Sequence, residues 1–478
     1  MNRERTESMK QAGIDPERVV PLNDKGLPKG DFVIYWMQQS QRLDYNHALQ
    51  YAVHLADERG LGVVVIFCLM DDYPEANLRH YAFMLEGLRE TALDLGELGM
   101  KFFLIKGRPE EAIPRLARRA SLVVCDRGYL RHQIAWRHGV GRRIECPFIQ
   151  VEGDVVIPVE RVSSKAEYAA RTIRPKMHRL LGHFLKPLET RAPRRSSVGI
   201  ELDVTGEASL EDAMEKLSID RGVPPAGNFF RPGAVQARRL FQKFLEEKLE
   251  NYVPNHNQPQ TDNCSCMSMY LHFGQISPME LALKVQEHRD DNPEAVDAFL
   301  EELIVRRELA INFVRYTDDY DSFGSIPAWA RRTLERHAPN RRPYVYSAAD
   351  LDAAATHDPY WNAAMNEMKY TGFMHNYMRM YWGKKILEWS PTPREAYRTL
   401  MWLNNRHFLD GRDPNSYAGA GWVFGLHDRP WGERDIFGTV RTMTASGLER
   451  KCDIRAYVEK VGGYILTGSP GRENTGAS

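Results

Sequence analysis

Hydrophobic runs of strand length alternate with amphipathic stretches over the first third of the chain. The runs FVIYWM, LGVVVIFCL, MKFFLIKG, SLVVCD and PFIQVEGDVVIP have the composition of buried strands. Between them, the spacing of apolar residues predicts helices over residues 46–59, 78–98, 110–120 and 131–143. This alternation is typical of a doubly wound parallel sheet, a Rossmann-like α/β fold. Such sheets bind ligands at the carboxyl ends of their strands, but the sequence has no G-x-G-x-x-G or phosphate-binding loop to name one.

The pattern changes after about residue 160. Residues 161–230 are polar and mixed in charge, which predicts a connector that crosses the surface between two domains. Residues 231–463 then show helical periodicity with Pro and Gly breaks. We therefore predict an α/β domain over residues 31–160 and an all-α domain over residues 231–463. A polar N-terminal extension precedes residue 31, and a disordered tail is predicted over residues 464–478.

Residues 361–422 combine many aromatic and methionine residues with polar residues of the kind that need partners when buried. The residues that fall near one face of a predicted helix in the first part of this stretch are Met374, Tyr377, Met378, Tyr381, Trp382 and Trp389. His375, Asn376 and Arg379 lie within the same face and need hydrogen-bond partners if they are buried. On its own, this pattern favours an ordinary core helix whose aromatic residues only pack.

The run that follows changes that interpretation, because it ends in NNRHFLDGRDPNSYAGAGW. Taken together, MHNYMRMYW and NNRHFLDGRDPN resemble the flavin-binding core of the photolyase/cryptochrome family. The segments WMQQSQR, FLEELIVRREL, MRMYWGKKILEW and LDGRDPN are similar to its class II cyclobutane pyrimidine dimer photolyases. The resemblance runs from about residue 31 to about residue 460, with several separated motifs in the same order.

The resemblance implies that the all-α domain binds FAD and that its diphosphate lies near the segment NCSCMSMY. There, Ser265, Met267 and Ser268 match the family's phosphate-binding stretch and precede a predicted helix, whose N-terminus suits a pyrophosphate. Tyr252 matches an upstream tyrosine that also contacts the cofactor. Family members often have Arg at the position of His256, which puts that contact in doubt here. The alternative for the two serines is a simple helix N-cap.

By the same resemblance, Arg379 and Asp410 lie beside the isoalloxazine ring. A flavin held as an anionic hydroquinone needs a nearby cation, and Asp410 would fix the guanidinium of Arg379 by paired hydrogen bonds. Asn404 matches an amide near the flavin N5 edge. Asp413 and Asn415 are expected to contact the flavin or to shape its bent conformation. A structural ion pair that joins two helices is the alternative for Arg379 and Asp410.

Three residues match positions that bind the pyrimidine dimer in the family. Glu302 would donate from a carboxyl group whose pKa is raised in an apolar pocket, Met380 would pack against the dimer, and Trp422 would form an aromatic wall. The alternatives are an exposed helix glutamate for Glu302 and a gap-filling core residue for Met380. Class I relatives carry a Trp soon after the glutamate, whereas this chain has Val305-Arg306-Arg307, which removes a second wall.

Contacts to DNA have to come from a local patch, because 64 Lys and Arg residues balance 64 Asp and Glu residues in the 478-residue chain. Arg429, Trp431 and Arg441 follow the flavin motif in a loop-rich segment. We expect them to contact phosphates and to occupy the gap left by a flipped dinucleotide.

Photoreduction of an oxidised flavin needs electron donors, and tryptophan suits that role. Trp382 lies three residues after Arg379 and therefore shares its helix face, which makes it the expected proximal donor. The resemblance implies the order Trp382, Trp361, Trp389, leading from the ring to solvent. The alternative is three core tryptophans with no redox role.

The implied function is light-driven repair of cyclobutane pyrimidine dimers, a deoxyribodipyrimidine photo-lyase activity in which reduced FAD donates an electron to a flipped dimer. A second, antenna chromophore is allowed in the α/β domain, with deazaflavin, folate and flavin as open alternatives. The competing functions are a cryptochrome-type blue-light receptor without repair activity and a generic nucleotide-binding protein with a helical appendix. We expect a monomer with DNA as its partner.

The location and metal content follow from simpler signals. The N-terminus has no apolar signal region, and no apolar run approaches membrane-spanning length. The six cysteines show neither zinc-ligand spacing nor a dense disulfide pattern. We therefore expect a cytoplasmic protein, associated with the nucleoid if the source is prokaryotic, that requires no metal.

Overall fold

A six-stranded sheet forms the N-terminal part of this computed structural model, which describes residues 13–202, 209–210 and 212–468. In chain order its strands are β1 (Val19–Pro21), β2 (Phe32–Met37), β3 (Gly62–Leu69), β4 (Lys101–Lys106), β5 (Ala120–Asp126) and β6 (Phe148–Val151). They lie in the order β1-β6-β5-β2-β3-β4, and every neighbouring pair is parallel except β1 and β6. The predicted α/β fold class is confirmed.

Two details of the sheet differ from the sequence prediction. The polar extension supplies β1, because Val19–Pro21 pairs with β6 and the preceding Arg18 is buried, donating to three backbone carbonyl groups just after β6. A three-residue strand is too short to show the alternation of apolar and polar residues by which a strand is predicted. The last strand ends at Val151 rather than continuing to Pro158, because residues after Val151 turn away to join the helical domain.

Helices cover both faces of the sheet, which explains the uninterrupted apolar strands. The four helices are α1 (His47–Asp57), α2 (Leu78–Glu97), α3 (Pro109–Ala117) and α4 (Arg131–Gly141). Val33 and Tyr35 of β2 belong to the core shared with α1 and α2, whereas Ile34 and Trp36 belong to the core shared with α3 and α4. The alternation along β2 therefore builds two separate apolar layers.

The connector starts with α5 (Val159–Val162) and α6 (Ala170–Phe184) and then runs back along the sheet domain. Ser197 is its central anchor there, since its hydroxyl accepts a bond from Lys101 N (2.9 Å) and its own N–H donates to Gly99 O (2.8 Å). Further on, Asp220 O accepts from Leu78 N at the start of α2 (2.8 Å). The connector therefore binds closely to the first domain.

The remainder of the described chain is helical, as predicted. Its helices are α7 (Ala234–Glu247), α8 (Tyr252–Asn255), α9 (Ser268–His272), α10 (Pro278–Gln286), α11 (Pro293–Leu300), α12 (Arg307–Tyr316), α13 (Ala328–Arg336), α14 (Ala348–Asp352), α15 (Pro359–Thr371), α16 (Asn376–Trp389), α17 (Pro393–His407), α18 (Pro414–Val423), α19 (Ala445–Glu449) and α20 (Ile454–Thr467). The tail was predicted from residue 464, but α20 continues to Thr467, and residues 469–478 lie outside the described part of the chain.

The single helix expected at the start of the aromatic stretch is two helices. Gly372 ends α15 in the left-handed conformation (φ 71°), and α16 begins at Asn376. A Cβ at residue 372 would come within 2.7 Å of the Leu409 side chain, so both the backbone conformation and the close approach require glycine. This turn folds α16 back against α15 and changes which tryptophans meet.

Buried arginines join the two domains. Arg79 of α2 donates to Met368 O (3.1 Å) at the end of α15 and to His407 O (2.7 Å) at the end of α17. Arg42, after β2, pairs with Asp154 (2.7 Å) and donates to Gly274 O (3.0 Å) in the helical domain. The Arg79 bonds therefore tie the last turns of α15 and α17 to the sheet domain. Among the helices described, none is both long and apolar enough to cross a bilayer.

Candidate active site

Arg379 and Asp410 form the expected ion pair between α16 and the loop after α17. Arg379 Nη2 lies 3.0 Å from both carboxylate oxygens of Asp410, and Arg379 Nε donates to Met374 O (3.0 Å). The Arg379 side chain is 19% exposed and that of Asp410 is 9% exposed. The pair therefore presents a fixed cation with a face still open to a ligand.

Phe408, which no sequence pattern marked as a site residue, lies between this ion pair and Trp382. The guanidinium carbon of Arg379 is 3.9 Å from the centroid of the Phe408 ring, and the Trp382 ring meets Phe408 edge-on at 6.1 Å. Trp382 is 2% exposed, and its indole N–H is buried with no hydrogen-bond partner. An unpaired buried donor beside a fixed cation is a position where a bound ligand would supply an acceptor.

The turn at Gly372 brings the three predicted electron donors into contact. Trp361 of α15 donates from Nε1 to the backbone oxygen of Trp382 (3.0 Å). The rings of Trp361 and Trp389 meet edge to face with centroids 5.6 Å apart. Trp361 therefore touches both of the others, and its middle place in the order of donors stays a prediction from the resemblance.

Trp389 does not reach solvent, contrary to the expectation that it ends the chain of donors at the surface. It is 1% exposed, and Tyr346 and His357 pack against it at 5.4 Å and 5.3 Å. Tyr344, which is 47% exposed, stacks on His357 at 3.6 Å. The sequence offered only the alternating tyrosines of YVY as a signal, and these residues lie more than thirty positions from Trp389.

The predicted phosphate segment has the features that a pyrophosphate needs. Met267 is buried and is the N-cap of α9, while Ser265 is half-buried. Ser268, the first residue of α9, has a buried hydroxyl oxygen without a partner. An unpaired hydroxyl at a helix start, a fixed Arg379 cation and the free Trp382 N–H match an anionic flavin nucleotide. The residues present therefore fit FAD.

The remaining predicted flavin residues are already engaged within the protein. Asn404 is buried and donates to Asn405 Oδ1 (2.9 Å). Asp413 caps α18, since its Oδ1 accepts from the backbone N–H (2.8 Å) and the side-chain amide (2.9 Å) of Asn415. Its other oxygen contacts His272 Nδ1 (3.2 Å). Asp413 and Asn415 therefore shape the loop at the start of α18.

Glu302 lies in a π-helical turn, Glu301–Arg306, which interrupts the helix between α11 and α12. Such turns occur often at functional sites, because the extra residue in the turn redirects a side chain. Glu302 is exposed, as in the alternative of a surface glutamate, but the surrounding protein still raises the pKa of its carboxyl, an effect that Arg306 opposes only in part. Glu301 points elsewhere and pairs with Arg174 (2.7 Å) and Arg306 (2.9 Å).

Tyr252, a predicted cofactor contact, lies near Glu302, a predicted substrate contact. Burial first, and then the nearby Glu302 carboxylate, raise the pKa of the Tyr252 phenol. The ring of His256 packs on that of Tyr252 with centroids 5.1 Å apart, and its Nδ1 is bonded to backbone oxygens. Val305, in the Val305-Arg306-Arg307 segment that lacks the Trp of class I relatives, is 2% exposed and belongs to the core.

The predicted DNA residues form one cluster around Trp422. The Arg441 guanidinium lies 5.3 Å from the Trp422 ring and 4.2 Å from the Trp431 ring, and Asp428 fixes it at 2.9 Å. Arg429 is exposed, and its guanidinium carbon lies 5.5 Å from the centroid of the Trp431 ring. These four side chains form a surface of alternating cations and indoles. Met380 is half-buried on α16.

Lys384 lies beneath that surface, and it was not among the site residues predicted from the sequence. It is fully buried, donates from Nζ to Val423 O, and lies 5.3 Å from the Trp422 ring. Burial lowers the pKa of Lys384 to about 7, with Arg441 acting in the same direction and Asp428 against it. Its position on α16, among apolar neighbours, gave no sign of this contact.

A separate cavity opens at the carboxyl ends of β2 and β3, where a doubly wound sheet is expected to bind a ligand. It encloses about 890 Å³, including the space that opens to solvent. Its lining includes Trp36, Tyr73, His80 and Trp136 of the sheet domain and Arg412 of the helical domain. Arg412 is 2% exposed, and its Nη1 contacts His80 Nε2 (3.0 Å). The cavity therefore lies between the two domains, next to the LDGRDPN segment.

The chain is similar to known proteins over most of its length. The family described as DNA photolyase matches residues 33–194. The deoxyribodipyrimidine photo-lyase of Methanothermobacter thermautotrophicus is 46% identical over 453 residues, which cover 95% of this chain and 99% of the relative. That of Potorous tridactylus is 39% identical, with 90% of this chain and 81% of the relative covered.

Among solved structures, a bacterial class III photolyase from Agrobacterium tumefaciens has the same fold. Its TM-score is 0.71 at 19% identity, with 92% of this chain and 88% of that chain covered. The predicted fold and the predicted photo-lyase class of enzyme are both confirmed by these matches. The chain belongs to the DNA photolyase family.

Proposed function

We propose that the chain repairs cyclobutane pyrimidine dimers in DNA and that it uses light and reduced FAD to do so. The observation that carries the proposal is the π-helical turn that holds the exposed Glu302 carboxyl beside Tyr252, where the pKa of Glu302 is raised. A protonated carboxyl can donate a hydrogen bond to a pyrimidine carbonyl, which an ionised one cannot.

FAD, when bound and reduced, supplies the electron that splits the dimer after it absorbs light. Arg379 provides a permanent positive charge, and Asp410 holds that charge in place through two contacts of 3.0 Å. This fixed cation favours an anionic reduced state over a neutral one. Ser268 and the N–H groups at the start of α9 are the proposed partners of the diphosphate.

The proposed substrate contacts are Glu302, Met380 and Trp422, and the proposed DNA contacts are Arg429, Trp431 and Arg441. Trp422 would form one wall of the dimer pocket, held from below by Lys384 and from the side by Arg441. Because Trp431 is 41% exposed between two arginines, it can fill the space left in the duplex when a dinucleotide is flipped out.

Electrons are proposed to pass inward during photoreduction from Trp389 to Trp361 and then to Trp382. The bond from Trp361 to Trp382 and the ring contact of Trp361 with Trp389 support this order. Transfer over such contacts needs no movement of the side chains.

We also propose that the cavity at the carboxyl ends of the strands binds a second, planar chromophore. Its aromatic and apolar lining suits a flat ring system, and the buried Arg412 guanidinium suits an anionic or strongly polar substituent on that ring. The cavity adjoins the LDGRDPN segment, so light absorbed there would be captured close to the flavin.

The competing function, a cryptochrome-type receptor, would keep the flavin and lose the dimer contacts. The experiment that separates them uses purified protein whose flavin has been reduced chemically. DNA that carries cyclobutane dimers is added, and dimer loss is measured under blue light and in the dark. We expect loss only in the light. No loss with a fully reduced flavin would rule out the repair function and support the receptor.

A further inference from the structure

Two thiols meet in the loop that precedes α9. Cys264 Sγ and Cys266 Sγ are 3.5 Å apart, and both residues are half-buried. The other four cysteines, Cys68, Cys125, Cys146 and Cys452, are buried, and all six are free. Only this pair therefore combines proximity of two sulfur atoms with access from solvent, among the cysteines of the chain.

The loop is held in a fixed frame around the two thiols. Lys248 Nζ, directly after α7, donates to Asp262 O (2.9 Å), and Lys460 Nζ of α20 donates to Asp262 Oδ1 (2.7 Å). Two separate parts of the helical domain therefore hold Asp262 in place. Asn263 donates to Lys248 O (3.1 Å) and fixes the next position. Cys266 has a positive φ of 55°, a conformation that residues with a Cβ atom seldom adopt. The frame thus maintains an unfavourable backbone conformation that turns Cys266 back toward Cys264.

The environment distinguishes the two sulfur atoms. A hydrogen bond from Cys266 lowers the pKa of Cys264, and the positive charges of Lys248 and Lys460 act in the same direction. The same hydrogen bond, together with burial, raises the pKa of Cys266. The pKa shifts therefore favour Cys264 as the nucleophilic member of the pair, although burial and Asp262 oppose its ionisation, and Cys266 as the resolving member.

We propose that Cys264 and Cys266 form a redox-active dithiol whose reactant is a low-molecular-weight disulfide of the glutathione type. Cys264 sulfur attacks one sulfur of the small disulfide, forms a mixed disulfide and releases the first small thiolate. Cys266 then loses its proton and attacks Cys264 sulfur, which closes the Cys264–Cys266 bond and releases the second small thiolate. Two protein thiols are oxidised and one small disulfide is reduced to two thiols, so atoms and electrons balance.

The second step is favoured by the first. While Cys264 is a thiolate, its charge opposes ionisation of Cys266. The mixed disulfide is neutral at Cys264, so that opposition is removed and Cys266 becomes a nucleophile 3.5 Å from its target. Closing the bond brings the sulfur atoms to about 2.0 Å. Ser265 lies between the two cysteines, and α9 starts two residues after Cys266, so this shift reaches the proposed diphosphate site, a consequence that rests on the proposed function.

The test uses the purified holoenzyme, incubated with oxidised glutathione and analysed as intact protein and as peptides by mass spectrometry. We expect the parent to lose two hydrogen masses, with the new bond mapped between Cys264 and Cys266. Cys266→Ser should instead retain one glutathione on Cys264, because the resolving thiol is missing. Cys264→Ser should react at least about tenfold more slowly, because the thiolate is missing. Cys452→Ser, which removes a buried thiol, should behave like the parent.

A stable glutathione adduct on the parent, or no reaction at Cys264 in Cys266→Ser, would overturn the proposal. The parent alone decides the first of these outcomes, so a variant that fails to fold does not weaken the test. Flavin release from the oxidised holoenzyme, followed by absorbance with and without a thiol reductant, is a separate measurement. Disulfide formation without any change in flavin release would overturn the link to the diphosphate site and leave the dithiol established.

Discussion

Trp361 donates a hydrogen bond from its indole nitrogen to the backbone oxygen of Trp382, 3.0 Å away. The bond crosses from α15 to α16 and fixes the middle donor against the helix that carries Arg379. Because Phe408 links Trp382 to Arg379, the three aromatic residues and the cation form one continuous group. This group is the basis of the first prediction.

Replacing Trp382 by Phe should reduce photoreduction of oxidised flavin to a small fraction of the parent rate, because the nearest donor is lost while a similar aromatic volume remains. The rate is followed by flavin absorbance under blue light with an external reductant. Repair by protein reduced chemically beforehand should be unaffected. Trp402→Phe, at a position 38% exposed on α17, is the matched control. A parent-like rate in Trp382→Phe would exclude it as the proximal donor.

Removing either member of the Arg379–Asp410 pair should weaken flavin binding. Each single variant leaves the other charge partly buried and unpaired, which costs about 3 kcal/mol or roughly 100-fold in affinity. Flavin retention during dialysis measures the effect in Arg379→Ala and Asp410→Ala. The control is Arg406→Ala, which breaks an exposed pair with Asp220 (2.7 Å). If both variants hold flavin like the parent, the ion pair is only structural.

Glu302→Ala should lower the efficiency of dimer repair by roughly 10- to 100-fold, the value of one hydrogen bond to a charged or strongly polar group. The flavin spectrum should remain that of the parent. Glu301→Ala is a stringent control, because the neighbouring side chain pairs with Arg174 and Arg306 instead. Equal repair by the two variants would remove Glu302 from the dimer pocket.

Binding of dimer-containing DNA should weaken steeply as salt increases, although the chain has no net charge. Each phosphate contact contributes about one unit to the slope of log affinity against log salt, so Arg429→Ala should reduce that slope by about one. Titration at several salt concentrations gives the slope. Arg194→Ala, at a site 84% exposed on the connector, should leave it unchanged. An unchanged slope in Arg429→Ala would place Arg429 away from the DNA backbone.

Lys384 should make stability depend on pH. Its pKa in the folded protein is about 7, below its usual value, so the unfolded chain binds more protons between pH 7 and about pH 10. Stability is therefore lost as the pH falls through this range and is regained as the pH rises. Between pH 7 and pH 9 the gain should be about 2 kcal/mol.

Urea unfolding at the two pH values measures that gain, and Lys384→Met, of similar length and without a charge, provides the reference. The parent should gain more stability than Lys384→Met as the pH rises. Equal changes in the two proteins would mean that Lys384 stays charged in the fold. Because Lys384 contacts Trp422, Lys384→Met should also repair dimers less efficiently than the parent. This decrease should be larger than any loss of stability accounts for.

The strands and most helices could be predicted because burial on both faces leaves a continuous apolar run, as in FVIYWM. The break at Gly372 could not, since a glycine is tolerated in a helical pattern, and only the fold shows that its left-handed conformation and its contact with Leu409 require it. The π-helical turn at Glu302 depends on backbone hydrogen bonding that side-chain types do not specify. The resemblance supplied Arg379 and Asp410, whereas Phe408 and Lys384 matter through contacts made only after folding.

Strand β1 limits how the chain can be shortened or extended. A cut at residue 30, where the alternating pattern begins, would remove Arg18 from three backbone carbonyl groups and leave β6 with an open edge. An open edge is a template for pairing with a second molecule, so such a fragment should precipitate or dimerise. An N-terminal fusion partner or affinity tag should therefore leave residues 14–21 intact.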